Sequence, residues 1–210
     1  MKAINGKFPY LPLYLWAIGV GTGFGHRKLN ASALEYWLSR NGVFVRAQRQ
    51  GLKACFPIAN CRITSLAILE PYFQMEYPRV PMEITKLMWL LSESAGENEI
   101  LFHLSFETGG WHLEVPAQIA TPTSVTPLIS SVDSSYETAL IEVHSHANMS
   151  SEFSEADNRE ETGFRIFAIL GKLRSQPEIN TRIGIYSHFY SIPARWVFEL
   201  PEMLTEKVPT

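Results

Sequence analysis

Cysteine is scarce in this sequence: its 210 residues include only Cys55 and Cys61. Two thiols cannot build a disulfide framework, and their spacing in ACFPIANC differs from the close cysteine pairs of structural zinc sites. We therefore expect both cysteines to be reduced and partly buried. The stability of the fold must then come from a packed core, which 46% apolar residues can supply.

The sequence also lacks an excess of either charge. It has 18 Lys and Arg residues against 21 Asp and Glu residues, for a net charge of -3. Such a chain has no general basic field to attract phosphates. Nucleic acid as the main ligand is therefore not indicated.

No apolar run is long enough to span a bilayer. The most apolar stretch, FPYLPLYLWAIGVGTGFG, is interrupted by Pro9 and Pro12 and has no evident small-residue cleavage site. We expect it to form a buried strand and turn rather than a signal peptide. The sequence thus predicts a cytoplasmic protein with no membrane partner.

The chain divides by pattern into an accessory region at 1–80, a main domain at 81–200 and a tail at 201–210. The first region is predicted to be irregular and β-rich. A short helix is expected in NASALEYWLSR, a hairpin through VFVRAQRQGLKACFPI with its turn at Gln50–Gly51, and an extended connector in PYFQMEYPRVP.

The main domain alternates helical and extended patterns. MEITKLMWLLSESAG has apolar residues at helical spacing, with Gly96 as its stop. EILFHLSF, WHLEV and TALIEVHSH are predicted as strands, SEADNREETGFRIFAILGKL as a long helix and TRIGIYSHFYSI as a final strand. This order predicts an α/β (α+β layered) fold, with a sheet flanked by helices.

Two histidines, His144 and His146, are separated by one residue at the end of a predicted strand. Alternate residues of a strand face the same side, so both imidazoles point together and form a pair suited to zinc. A pair of histidines at a solvated strand end has the same pattern. The pair alone therefore does not distinguish a zinc site from two solvated histidines.

Ser154 and Asp157 follow the two histidines and resemble a helix-start signal, in which a serine side chain caps the first turn. An aspartate in that first turn can also project back toward the strand end. His144, His146 and Asp157 would then be three ligands with a fourth position open, which is typical of catalytic rather than structural zinc.

The spacing H-S-H, seven residues, S, two residues, D resembles the motif of the JAMM (MPN+) zinc metalloproteases at every position. The resemblance covers about residues 82–200. It implies the JAMM/MPN-like (cytidine-deaminase-like) fold, a Zn²⁺ ion held by His144, His146 and Asp157, and a role for Ser154 in stabilising the tetrahedral intermediate. It also implies an upstream glutamate as general base.

More of the chain is similar to one bacterial branch of that family, the PRTRC system protein A group. The similarity lies in EILFHLSF, IEVHSHANMSSEFSEAD, RIGIYSHF and IPARWVFEL, among other stretches. This resemblance implies a mobile-element gene cassette with a ThiF/E1-like activating enzyme as a possible partner. It further implies a ubiquitin-like protein or its peptide tail as the substrate.

Glu99 is the predicted general base, because it opens a strand directly after a helix, where the family has its glutamate. Glu142 is the main alternative, since it shares a strand face with His144. Glu160 and Glu161 are expected on a solvated helix face. His103 and His188 are expected to be core, surface or supporting histidines rather than ligands.

Three functions remain open from the sequence. The first is a zinc peptidase or isopeptidase that acts on a ubiquitin-like protein or its conjugate. The second is a small-amide hydrolase that frees a sulfur-carrier protein from an adduct. The third is a non-catalytic MPN scaffold within the cassette, which complete ligands and a candidate base disfavour.

Overall fold

The structure is a computed structural model that describes residues 11–13, 34–128 and 135–207. The chain forms two compact units, Met1–Glu76 and Tyr77–Thr210. The fold is of the mixed α+β class, rich in strands and with few helices. The predicted strand-and-turn segment at 8–25 lies outside the described residues, except for Leu11–Leu13.

The first unit contains one five-stranded antiparallel sheet, in which consecutive strands are neighbours. Its strands are β1 (Leu11–Leu13), β2 (Leu34–Ser39), β3 (Gly42–Arg49), β4 (Leu52–Ala59) and β5 (Tyr72–Met75). Phe44, Cys55 and Leu69 form a buried cluster, with Trp37 packed against it. Cys55 and Cys61 are free thiols in this structure; Cys55 is buried and Cys61 is partly buried.

The predicted hairpin in this unit is confirmed by β3 and β4, which are joined at Gln50–Gly51. Gly51 has a φ of +81°, which favours glycine in a tight turn. The predicted helix at 30–40 is wrong, because Leu34–Ser39 is strand β2. Its Tyr and Trp side chains favour strands, and its backbone pairs with both β1 and β3. The expected connector also contains a strand, β5.

The second unit contains a seven-stranded sheet. Its first elements are α1 (Met82–Ser94), β6 (Leu101–Glu107), β7 (Gly110–Glu114), β8 (Gln118–Thr121), β9 (Ser124–Pro127), α2 (Ser135–Thr138) and β10 (Ile141–Ser145). The later elements are α3 (Glu155–Glu160), β11 (Phe164–Gly171), β12 (Glu178–Ile185), β13 (His188–Ser191), a 3₁₀ helix (Ala194–Trp196) and β14 (Thr205–Glu206).

The strand order of the sheet is β13-β12-β11-β10-β6-β7, with β14 paired to β12. Strand β10 therefore lies in the middle of the sheet, antiparallel to β6 and parallel to β11. Its alternating side chains have different chemistry on the two faces. Ile141 and Val143 are fully buried in the core, whereas Glu142 and His144 project from the opposite face. The sheet therefore has one apolar face and one face that carries buried polar groups.

The predicted long helix at 154–173 is wrong over most of its length. Helix α3 ends at Glu160, and Gly163, with a φ of +85°, precedes strand β11. All eight residues of β11 are buried. An apolar run interrupted only by Arg165 suits a central strand covered on both faces, and its helical spacing was misleading.

Two further predicted elements, the first helix and the final strand of the main domain, can be compared with the structure. The helix ending before Gly96 is confirmed as α1. The predicted final strand is instead a hairpin of β12 and β13, turned at Tyr186 and Ser187, which have φ angles of 44° and 69°. None of the helices in the described part of the chain combines the length and apolarity needed to cross a membrane.

Candidate metal centre

Three predicted ligands meet between the end of β10 and the start of α3. His144 is in β10, and His146 follows two residues later on the same side of the chain. Their Nε2 atoms are 3.1 Å apart. Asp157 in the first turn of α3 places Oδ1 3.2 Å from His144 Nε2 and Oδ2 3.8 Å from His146 Nε2.

A capping box at the start of α3 orients Asp157. The Ser154 side chain accepts a hydrogen bond from the Asp157 backbone N–H at 3.2 Å, and Asp157 Oδ2 accepts one from the Ser154 backbone N–H at 2.5 Å. This reciprocal arrangement satisfies two backbone donors and fixes the carboxylate. Asp157 Oδ1 remains directed toward His144. Ser154 thus holds a ligand in place, and its side chain is an exposed cap.

The ring of His146 is oriented by the loop that follows it. Its Nδ1 lies 2.9 Å from the backbone oxygen of Ser150. A carbonyl oxygen can only accept, so Nδ1 carries the hydrogen and donates it. Nε2 is then the unprotonated nitrogen, and it faces His144 and Asp157 with a lone pair available for a metal.

The donor set fits a small tetrahedral cation. Bond lengths of about 2.0–2.2 Å in tetrahedral geometry place ligand atoms about 3.3 Å apart. The two separations from His144 Nε2, 3.1 Å to His146 Nε2 and 3.2 Å to Asp157 Oδ1, are close to this value. The 3.8 Å separation from His146 Nε2 ends on the other Asp157 oxygen, Oδ2, which the capping box also uses. Both histidines are buried, at 6% and 7% exposure. Two groupings among the described residues could hold a metal ion: Glu99 with His144 and His146, and His144 with Asp157 and Glu161. Both contain His144, and neither contains all three predicted ligands.

The three groups also influence one another's ionisation in the metal-free chain. Burial lowers the pKa of His144, but the hydrogen bond to Asp157 and nearby carboxylates outweigh it, so the pKa is raised. Burial and the charge of His144 lower the pKa of His146. Burial alone raises the pKa of Asp157, yet its contacts with His144 and Ser154 hold that pKa well below the usual range. Asp157 is therefore ionised and available as a ligand.

Glu99, the predicted base, lies beside this cluster. It precedes β6 and is 4% exposed, with Oε1 4.0 Å from His146 Nε2. Its backbone N–H donates to the Thr121 oxygen at 2.9 Å, which anchors this segment. Burial raises the pKa of Glu99 to about 7. A carboxylate with such a pKa can accept and release a proton near neutral pH.

Glu142, the alternative base, is engaged elsewhere on the same sheet face. Its Oε2 is 3.3 Å from Arg165 Nη1 and 3.7 Å from His103 Nε2. Neither His103 nor His188 belongs to the metal-binding groupings found among the described residues. Ser145, between the two ligands, faces away and accepts the Ile100 N–H at 3.1 Å. Glu99 is therefore the better-placed carboxylate.

The expectation that Glu161 is solvated is wrong, whereas Glu160 is exposed. Glu161 is 4% exposed, and its Oε1 lies 3.9 Å from His144 Nδ1. Its Oε2 accepts from Arg182 Nε and Nη2 at 2.8 and 2.5 Å. The sequence analysis did not identify Glu161 or Arg182 as part of the site. The four-residue spacing from Asp157 to Glu161 was a signal for Glu161, because residues four apart lie on one helical face.

The rim of the cluster is formed by loops. Asn148, two residues after His146, donates to both carboxylate oxygens of Glu97 at 3.4 Å. Arg174, which follows β11, donates to Glu97 at 2.7 Å. The loop that contains Asn148 and Ser150 therefore borders the cluster.

Comparison with protein-family models gave no match, and comparison with curated proteins gave none either.

Proposed function

We propose that this protein is a zinc-dependent hydrolase of peptide or isopeptide bonds, of the JAMM/MPN+ metallopeptidase type and fold. One observation carries the proposal: His146 Nε2 and Asp157 Oδ1 lie 3.1 and 3.2 Å from His144 Nε2, with a carboxylate oxygen of buried Glu99 4.0 Å from His146 Nε2. The five-position spacing in the sequence supports the same reading.

His144, His146 and Asp157 would hold the metal, since two imidazoles and one carboxylate with an open fourth position are typical of catalytic zinc. A zinc ion held there would supply Lewis-acid chemistry and would lower the pKa of a bound water. The chain's own contribution is the orientation of its donors. Ser154 fixes Asp157, and Ser150 fixes His146.

Glu99 serves as the general base in this proposal. It takes a proton from the attacking water and passes it to the leaving amine. Its low exposure and its position 4.0 Å from His146 Nε2 suit this role, and in the metal-free chain burial raises its pKa to about 7. A buried carboxylate next to two histidines also supports a catalytic role over a scaffold.

The substrate is proposed from the family resemblance alone. We infer a ubiquitin-like protein or its conjugate, cut next to the end of its flexible tail, with a ThiF/E1-like enzyme as a functional partner. The small-amide hydrolase remains the competing proposal, because the same metal and base suit any amide.

Metal analysis tests the zinc site first. We expect one zinc per chain after purification without chelator and its loss in the double variant His144→Ala/His146→Ala. Wild-type protein with only a small fraction of an equivalent, or a double variant that keeps its zinc, would contradict the assignment.

Glu99→Gln tests the base. Glutamine preserves the volume but is a poor proton acceptor, so we expect normal zinc content and a rate reduced about 10²–10⁴-fold. Glu107→Gln is the matched control, because Glu107 is an exposed carboxylate at the far end of β6. Near-native activity of Glu99→Gln would refute the role.

Intact-mass spectrometry of wild type and Glu99→Gln with a ubiquitin-like protein, its conjugate and small amide adducts separates the substrate classes. Cleavage by wild type alone, next to a terminal glycine, is the expected result. If zinc-loaded protein hydrolyses only the small adduct, the small-amide hydrolase replaces the peptidase.

A further inference from the structure

Glu161 is a buried carboxylate with two differently engaged oxygens. It follows the last turn of α3, four residues after Asp157, and is 4% exposed. Oε2 accepts both hydrogen bonds from Arg182. Oε1 is buried and has no hydrogen-bond partner among the described residues, and it lies 3.9 Å from His144 Nδ1. This distance makes the contact with His144 electrostatic rather than a direct hydrogen bond.

Arg182 holds Glu161 rigidly. Its guanidinium lies between the rings of Phe153 and Phe189, at 3.8 and 3.6 Å from their centroids. Its Nη1 donates to Asn158 Oδ1 at 2.6 Å. A guanidinium with this many contacts has little freedom, so the carboxylate paired with it is fixed as well.

A contribution to stability alone does not account well for this ion pair. Burying two charges removes both from water, and well-packed apolar residues often stabilise a fold equally well or better. The carboxylate of this pair lies next to Nδ1 of His144, a proposed metal ligand. The other proposed ligand histidine, His146, also has an acceptor behind it, the Ser150 carbonyl. Metal-bound histidines usually have a carboxylate or carbonyl at the second nitrogen, which fixes the tautomer.

We propose that Glu161 is a positioning residue for His144, held in place by Arg182. Its unpaired Oε1, 3.9 Å from Nδ1, favours the His144 tautomer with hydrogen on Nδ1 and leaves the Nε2 lone pair directed toward His146 and Asp157. This inference rests on the proposed zinc site, but it does not depend on which bond the protein cleaves.

Zinc affinity of Glu161→Gln, measured by competition with a chromophoric chelator, tests the inference without using activity. We expect zinc to bind about 10–100-fold more weakly than in wild type. Glu160→Gln is the matched control, because it removes one exposed carboxylate from the neighbouring position of the same helix end. Its affinity should stay within about twofold of wild type, since water screens an exposed carboxylate.

Thermal unfolding of the metal-free variants separates positioning from a purely structural role. If Glu161→Gln lowers the melting temperature but binds zinc as tightly as wild type, the positioning role is wrong. A loss of zinc affinity as large as that of His144→Ala would indicate that Glu161 is itself a ligand, and it would also overturn the positioning role. If Glu161→Gln does not fold, Arg182→Lys loosens the intact carboxylate, and an unchanged zinc affinity there refutes the inference.

The two proposals fail in different ways. Wild-type protein that binds no zinc removes the proposed function and this inference together. Wild-type protein that binds zinc tightly, with an equally tight Glu161→Gln variant, removes only the inference.

Discussion

Gly171 controls how closely the loop after His146 can approach the sheet. A Cβ at this position would lie 2.5 Å from the Ser151 nitrogen and 2.8 Å from both the Met149 oxygen and the Ser150 carbonyl carbon. All three atoms belong to the backbone and cannot rotate away. We therefore predict that Gly171→Ala displaces the loop that supplies the Ser150 carbonyl to His146.

The size of the displacement follows from the contacts. Ordinary contact begins at 3.4 Å, so the Ser151 nitrogen must move by about 0.9 Å. The His146 Nδ1 to Ser150 oxygen distance is 2.9 Å, and a shift of this size is enough to break the hydrogen bond. We expect a loss of about 1–3 kcal/mol in unfolding free energy from overpacking and about tenfold in zinc affinity.

Urea unfolding of the metal-free protein and zinc competition with a chelator measure the two effects. Gly109→Ala is the control: Gly109 has a φ of +119°, and a Cβ added there would meet nothing within 4 Å, so the substitution costs backbone strain alone. Gly109→Ala should lose stability and keep zinc affinity. If Gly171→Ala binds zinc as tightly as wild type, the loop does not position His146 as argued.

Two further predictions concern groups away from the metal ligands. Burial raises the pKa of Cys55 to about 11, and this residue is 1% exposed. A maleimide at about pH 7.5 should therefore modify only Cys61 in the folded protein. Modification of both cysteines would contradict this prediction. Burial and the charge of Arg165 lower the pKa of His103 to about 4 in the folded protein. In the unfolded chain this histidine has an ordinary pKa of about 6.5, so it is protonated there first as the pH falls, and the folded state loses stability. Metal-free wild type should lose about 3 kcal/mol more stability than His103→Gln between about pH 7 and pH 4, and parallel stability curves would refute this.

Local patterns were sufficient for several elements of the fold. The β3–β4 hairpin was predictable because Gln50–Gly51 separates two strand-like runs and glycine suits the positive φ of such a turn. Helix α1 was predictable from its apolar spacing and the glycine that follows it. In both cases the signal lies within a few residues of the element it determines.

Local patterns failed where pairing decided the conformation. Strand β11 has apolar residues at positions that also fit a helix, and it is a strand because β10 and β12 pair with it on both sides. Strand β2 was mistaken for a helix for the same reason, since its partners β1 and β3 are not visible in its own sequence. Pairing partners distant in sequence override weak local preference.

The sequence by itself determined the arrangement of the candidate ligands relative to their own elements. The period of a strand makes His144 and His146 point together, and the capping signal makes Ser154 and Asp157 interact in the first turn of α3. Only the tertiary structure decided which carboxylates are buried beside them. Glu99 and Glu161 lose their water because other elements cover them, and Arg182 approaches Glu161 from β12. Burial and charge pairing depend on contacts between distant segments, and so they cannot be read from local spacing.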